Sequence, residues 1–378
     1  MLLILGWLAL GLALIGAACA AAGTLLIRYR LVGAKKSHRG DRAVTILKPL
    51  HGAPAALEAA LTSTLDQDYD GQVQLVCGLQ NACDPARFVV ERLQQRYPDR
   101  DISLIIDAQL HGANRKISNL MNMEKTAKHD LLVIADSDIA VPRNWLADIA
   151  TTLTTDQAGA ATCFYIGGGR DRWSRLSAMG ISYHFLPNAA FGTAARLAQP
   201  FFGATMALRR EVLEKIGGFA ALRNCLADDY EIGRRVRASG YSIAYPPVLV
   251  RHDCTDASWT ELWRREVRWA RTVRSISATG HWGSLASHAF PLAVLGAAAL
   301  GFSPTALTGL LAVIMARLLL KVGIDEIARA SAGPLWLLPI RDLVSFGIFV
   351  ASLVNTDISW RDDRFRIGKG GVISQVSG

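Results

Sequence analysis

Leu131-Leu132-Val133-Ile134-Ala135-Asp136-Ser137-Asp138 is the stretch that decides the fold. Five apolar residues in a row, too few for an ordinary helix, read as a strand buried on both faces. Two carboxylates then follow two residues apart. Such strands belong to parallel sheets covered by helices on both sides, where ligands bind beyond the carboxyl ends of the strands. Val44-Thr45-Ile46-Leu47 and Gln74-Leu75-Val76-Cys77 read as two more short strands, and residues 56–65 and 85–95 as helices. Strand–helix alternation predicts an α/β lobe with a doubly wound parallel sheet over residues 43–280. Asp84 comes shortly after one strand and Asp136 directly after another, so both fall on the binding edge.

The acidic groups point to chemistry. Asp136 and Asp138 can share a hard cation such as Mg²⁺ or Mn²⁺, which prefers oxygen ligands. The same tripeptide also suits a solvated turn with a helix cap, and the buried strand before it favours the metal. Asp228-Asp229 opens an Arg-rich helical run. It reads either as acids placed against a helix dipole or as a general base whose pKa its neighbour raises; the spacing alone does not decide. Lys116 follows a Gly-containing loop and can meet an anionic group, although a plain surface helix start explains it as well. Arg265, Arg268 and Trp269 lie on an amphipathic stretch that also suits an interfacial membrane anchor. His184 and His252 are lone histidines, a kind more often structural than catalytic.

The rest of the chain points to a membrane. Hydrophobic residues make up 51% of the 378 and charged residues 19%, and the mean hydropathy is +0.23. Residues 2–27 are apolar and uncharged, enough at 1.5 Å per residue to cross a hydrocarbon core of about 30 Å. A cleaved signal peptide fits poorly, because no basic residue precedes the run and the run is long. Arg28, Arg30, Lys35, Lys36, Arg39 and Arg42 follow it. Positive-inside bias therefore puts the lobe in the cytoplasm, as on a bacterial inner membrane, behind an anchor at residues 1–28.

Residues 287–356 are greasy again. Residues 288–302 and 306–320 form a helical hairpin. In 335–354 the pair Arg341-Asp342 leaves an apolar part too short to span, so that segment is expected to be interfacial or re-entrant. A basic tail, 357–378, ends the chain. Segment 172–197 fits a core helix pair and a helix lying in the membrane surface equally well. The net charge of +9 suits cytoplasmic loops, lipid headgroups and an anionic substrate. No nucleic-acid motif accompanies it, and nothing points to a protein partner. The six cysteines show no zinc spacing and read as buried thiols.

Together these motifs resemble the ceramide glucosyltransferases, family 21 of the glycosyltransferases, relatives of family 2 with the GT-A fold. The segments that carry the resemblance are Leu47-Lys48-Pro49-Leu50-His51-Gly52, Asp84-Pro85-Ala86, Lys116-Ile117-Ser118-Asn119-Leu120-Met121, Asp136-Ser137, Asp228-Asp229-Tyr230, Arg265-Glu266-Val267-Arg268-Trp269 and Ile358-Ser359-Trp360-Arg361. The resemblance implies an inverting transfer from a UDP-sugar to a lipid acceptor, dependent on a divalent cation. It implies donor contacts at Pro49, Asp84, Lys116, Asp136, Arg265, Arg268 and Trp269, with Asp84 on the uridine and the metal at Asp136 and Asp138. It also implies a base at Asp229 beside Asp228, and acceptor contacts at His184 and Trp269. Some eukaryotic members have Gly where Asp138 stands, and Asn81 stands where such members can carry another acid. Bacterial hopanoid-biosynthesis glycosyltransferases, which put a sugar such as N-acetylglucosamine on a hopanoid polyol, resemble the same pattern. Processive polysaccharide synthases share it too but usually need more membrane helices. A membrane sugar-nucleotide sensor would not need Asp229.

Overall fold

The computed structural model describes residues 1–33, 40–154, 157–354, 357–360, 363–367 and 373–375. In chain order the first elements are α1 (Leu2–Val32), β1 (Val44–Pro49), α2 (Leu57–Leu65), β2 (Val73–Leu79), α3 (Ala86–Arg96), β3 (Asp101–Ile106), α4 (Arg115–Glu124) and β4 (Leu131–Ile134). Next come β5 (Ile139–Ala140), α5 (Trp145–Thr152), β6 (Ala158–Thr162), β7 (Phe164–Gly168), α6 (Arg172–Gly180), α7 (Leu186–Ala194), β8 (Met206–Arg209), α8 (Arg210–Lys215), α9 (Asp228–Ala238), β9 (Ser242–Ala244) and β10 (Leu249–Asp253). The last are α10 (Trp259–Ile276), α11 (Ala278–Gly283), α12 (Ala289–Ala299), α13 (Pro304–Ala328), α14 (Leu338–Leu353), β11 (Asp357–Trp360), β12 (Asp363–Ile367) and β13 (Ile373–Gln375). By their contacts the residues form two units. A sheet unit lies within Gly33–Tyr165 and Gln199–Asp253, and a helical unit within Met1–Val32, Ile166–Ala198 and Cys254–Gly370.

In the sheet unit seven strands run in the order β3-β2-β1-β4-β8-β6-β9. Side chains alternate between two cores, as the period of a strand requires. Ile46, Leu75 and Val133 enter one core with α2, α3 and α5, while Leu47, Val76 and Leu132 enter the other with α4, α8 and α9. The order 3-2-1-4 puts the reversal of winding between β1 and β4, which pair in parallel from Val44↔Leu131 to Leu47↔Ile134. The sequence predicts a wholly parallel sheet; the sheet is mixed, because β8 runs antiparallel to both β4 and β6. After β6 the chain leaves at the carboxyl edge and makes the excursion through residues 166–198. It re-enters from that same edge, so β8 has to run backwards. Beside this sheet β5 pairs antiparallel with β10, Ile139 opposite His252.

In the helical unit α1 packs on α7, α12 and α13. Small residues let the backbones approach: a β-carbon on Gly16 would come within 1.8 Å of the Ala286 carbonyl oxygen, and one on Gly23 within 1.9 Å of that of Pro187. Segment 172–197, which the sequence left open, therefore belongs with the apolar helices. Among the described residues, three helices are long and apolar enough to cross a membrane: Leu2–Val32, Pro304–Ala328 and Leu335–Leu353. These lengths mark an integral membrane protein. They differ from the expected pattern, since α12 is the short member of the hairpin and Leu335–Leu353 is long enough to span.

β11 and β12 pair antiparallel, Asp357 opposite Arg366. The side chains of the tail, and Lys35, Lys36 and Arg39 near the first helix, lie outside the described residues. Cys77, Cys163 and Cys254 are buried as expected, but Cys83 is exposed. It lies in a surface turn, where its amide donates to Asn81 Oδ1 at 2.9 Å.

Candidate active site

Three loops at the carboxyl edge of the sheet bring the acidic clusters together. Asn114 caps α4 through the Ile117 amide at 3.0 Å and thereby sets Lys116 in the first helical turn. The Asn114 amide group donates to the Cys225 carbonyl at 2.7 Å, and the Asn114 backbone N–H to that of Arg223 at 2.8 Å. The loop before α4 is thus stitched to the loop before α9, and Lys116 meets both acidic clusters. Its Nζ lies 2.7 Å from Asp136 Oδ1 and 3.3 Å from Asp228 Oδ2. Burial opposes its charge, but Asp136 and Asp228 outweigh it and hold Lys116 protonated well above the usual lysine range.

Asp229, one residue into α9, is held by backbone amides on both oxygens. Gly203 N donates to Oδ2 at 3.1 Å and Tyr230 N to Oδ1 at 2.7 Å. Burial and then the Asp228 charge push its pKa up to about 6, against Lys116, which pulls it down. A carboxylate of that affinity, with its orientation fixed, suits a base working near neutral pH. Asp136 is also raised by burial, with Lys116 opposing.

Asp138 differs from Asp136. Burial acts to raise its pKa, but the His252 ring, by charge and hydrogen bond, and Lys48 bring it below the usual range. His252 Nε2 lies 3.0 Å from Asp138 Oδ2. The Asp253 amide, donating to the Asp138 carbonyl at 2.8 Å, locks β10 beside this turn. Sequence reading missed His252, because a lone histidine carries no spacing signal; only the pairing of β5 with β10 brings it here.

Asp138 and His252 offer an oxygen and a nitrogen donor side by side, which a divalent cation can share. Among the described residues no group of three or more His, Cys, Asp or Glu converges as a cage. The donor set fits an open site all the same, since Mg²⁺ takes one or two carboxylates and completes its shell from substrate phosphates and water.

Asp84 is 7% exposed, and both its oxygens are engaged. Gly52 N donates to them at 3.0 and 2.9 Å and Ala86 N to Oδ1 at 2.9 Å. Gly52 stands at φ +69°, a conformation that favours glycine, so the loop after β1 folds onto the carboxylate. Asp84 thereby braces the loop that follows Pro49; its Oδ1 accepts from two amides, and Oδ2, which accepts from Gly52 N, keeps a further lone pair for a ligand.

Arg265, Arg268, Trp269 and His184 belong to the helical unit. Ser258 caps α10 through the Glu261 amide at 3.2 Å. Arg265 Nη2 pairs with Asp256 Oδ2 at 2.6 Å and donates to Ser177 Oγ at 2.7 Å, with its guanidinium 4.9 Å from the Trp269 ring centre. Arg268 makes no ion pair among the described residues. Burial and then the charge of Arg265 pull its pKa down to about 10. An uncompensated, half-buried guanidinium beside a second one invites an anion. Glu266, between them, is gripped by Arg341 of α14 at 3.0 and 2.5 Å. His184 sits in a π-helical turn, Ile181–Phe185, with Nε2 3.2 Å from Ser287 Oγ and its ring 4.7 Å from that of His288.

Comparison with known proteins gives the family and the fold. Ceramide glucosyltransferase 3 of Caenorhabditis elegans is 24% identical over 362 residues, 92% of this chain and 77% of its own. Ceramide glucosyltransferase 1 of the same organism is 24% identical over 60% of this chain, which spans about half of it (49%). Among solved structures, the mannosyltransferase PcManGT from Pyrobaculum calidifontis in complex with GDP-Man and Mn²⁺ superposes with a TM-score of 0.51 at 20% identity, covering 93% of this chain and 99% of its own. That likeness is one of fold, the GT-A α/β fold. The sequence profile of glycosyl transferase family 21 matches residues 8–373, nearly the whole chain. With its acidic clusters on the carboxyl edge of such a sheet and long apolar helices in its sequence, this chain belongs to glycosyl transferase family 21 and is a membrane glycosyltransferase.

Proposed function

We propose that the protein transfers a sugar from a UDP-sugar to the hydroxyl of a lipid, in the manner of the ceramide glucosyltransferases it is similar to, with inversion at the anomeric carbon. The observation that carries this reading is Asp229, a single carboxylate clamped by two amides at a pKa of about 6 within reach of the Lys116–Asp136–Asp228 cluster. Asp229 takes the proton of the acceptor hydroxyl as its oxygen bonds to the anomeric carbon. The bond from that carbon to the diphosphate breaks, and its electron pair leaves with UDP. Asp138 and His252 would hold a divalent cation, which supplies charge neutralisation at the leaving diphosphate. Lys116 and Asp136 order the donor, and Asp84 keeps the loop after Pro49 in place for the uridine. Arg265, Arg268 and Trp269 supply cations and an aromatic face for the diphosphate and the acceptor. His184, half-buried and kept neutral first by desolvation and then by its neighbour His288, serves the acceptor as a hydrogen-bonding group.

The lipid acceptor rests on the named relatives and on the apolar helices. The test offers purified protein UDP-glucose, UDP-galactose and UDP-N-acetylglucosamine against ceramide, diacylglycerol and a hopanoid polyol, and identifies products by mass and anomeric configuration. Glucosylceramide of inverted configuration is the expected product. Transfer only to a soluble sugar rejects the lipid acceptor, and retained configuration rejects the single-displacement scheme.

A further inference from the structure

Lys48 is a lysine where the fold calls for an aliphatic residue. It lies near the end of the central strand β1, opposite Cys77 of β2, and is 0% exposed. Taking an ammonium out of water is costly unless it is paired or hydrogen-bonded. Burial drives its pKa down to about 8, while the nearby Asp138 charge acts in the opposite direction. Its Nζ donates to two backbone carbonyls, Asp136 O at 3.1 Å and Ile139 O at 2.8 Å. Those two carbonyls bracket Asp138.

Two backbone bonds also hold the four-residue turn. Ile139 N donates to Asp136 O at 3.2 Å, and Asp253 N to Asp138 O at 2.8 Å. Neither bond reaches the Ile139 carbonyl. A methionine would fill the volume of Lys48 without the desolvation cost and would leave both carbonyls without this donor. The ammonium therefore does something an aliphatic chain cannot: it fixes both ends of the turn at once.

We propose that Lys48 is a positioning residue for the divalent-cation site, cross-linking the carbonyls of Asp136 and Ile139 so that the Asp138 carboxylate is aimed at the cation beside His252. This inference rests on the metal-dependent reading above. Charge and geometry predict opposite signs. A lysine acting only through its charge would repel the cation, so its removal would tighten metal binding. A lysine acting through the turn tightens metal binding itself, so its removal loosens it. Loss of an outer partner of a metal ligand commonly weakens metal affinity by about 10- to 100-fold.

The experiment titrates Mn²⁺ into the purified full-length protein with UDP present and follows free Mn²⁺ by electron paramagnetic resonance. Wild type, Lys48→Met and Lys48→Gln are compared, with thermal unfolding to confirm that each is folded. Lys48→Met is expected to bind Mn²⁺ about 10- to 100-fold more weakly, with the Mn²⁺ requirement for turnover raised in parallel and kcat recovering at saturating Mn²⁺. Lys48→Gln, which keeps donors but no charge, should fall between the two. It decides the matter if the methionine variant does not fold. Unchanged or tighter Mn²⁺ binding in a folded variant overturns the positioning role alone. Absence of UDP-dependent Mn²⁺ binding in the wild type overturns the metal reading, and this inference with it.

Discussion

The residue proposed as the base is Asp229, and its environment sets a pH dependence that tests the proposal. Only the deprotonated carboxylate can accept the acceptor's proton. With a pKa of about 6, raised by burial and by Asp228 against the pull of Lys116, the active form is lost as pH falls through about 6. kcat/KM is expected to level off above that point and to drop about tenfold per pH unit below it. Asp229→Asn should abolish this limb and lower turnover by about 10²- to 10⁴-fold with donor binding intact. The same acid limb surviving in the variant would assign the base elsewhere. Arg268 gives a second test. A half-buried guanidinium with no anionic partner among the described residues should bind the donor's diphosphate. Arg268→Ala should raise the dissociation constant for UDP, and Arg268→Lys should not restore it, because an ammonium lacks the planar fork. Equal UDP affinity in all three proteins would remove Arg268 from the donor site. At this scale the sequence exposed what repeats a motif. The paired acids and the RxxRW segment stood out by spacing, whereas His252 and Lys48 did not, because their meaning comes from a strand pairing and a turn beyond local pattern.

At the scale of elements, the sheet was legible where strands are fully buried. The apolar runs of β1, β2 and β4 announced themselves, and their ends marked the binding edge. The reversal of β8 did not show, since a strand's direction depends on the edge from which the chain re-enters and not on its own four residues. Helix pairing was opaque for a similar reason. Arg341 and Asp342 are adjacent in sequence but do not neutralise each other. Arg341 grips Glu266 of α10, and Asp342 takes a bidentate contact from Arg317 of α13 at 2.8 and 2.6 Å. The Arg341 and Glu266 side chains are only 4% and 12% exposed, so breaking the pair strands a buried charge. Arg341→Met should destabilise the protein by about 3–5 kcal/mol, while the double variant with Glu266→Met should regain most of that loss. Thermal unfolding in detergent reads both. A single variant no less stable than the double would show that the pair does not fasten α10, and with it Arg268, to α14.

For the whole molecule the open question is on which side of the membrane the basic tail lies. Among the described residues, helix lengths alone allow three spans, α1, α13 and Leu335–Leu353. The direction of the helices says more. Along α1, Leu10 meets Gly309, Thr24 meets Gly323 and Arg28 pairs with Glu326, so α1 and α13 run parallel. Two parallel spans in one chain require the chain to come back across between them. That return falls to residues 284–299, a short 3₁₀ turn leading into α12, about 24 Å long. With the amino terminus outside, as the basic residues after α1 favour, α13 then ends on the side of the catalytic lobe. If α14 also spanned, the tail would be outside together with its arginines, against the same bias. α14 instead buries a polar stripe of Arg341, Asp342, Ser345 and Ser352 and packs on α6, α10 and α12, with apolar Leu343 and Val350 left exposed. A helix of that make-up suits a place at the membrane surface, with its charges turned into the protein and its apolar side toward lipid. The expected arrangement is a tail on the side of the lobe. A cysteine introduced by Ser377→Cys should resist an impermeant thiol reagent in intact cells and react after lysis. Labelling from outside would show that α14 spans, and that the tail is on the far side of the bilayer from the chemistry.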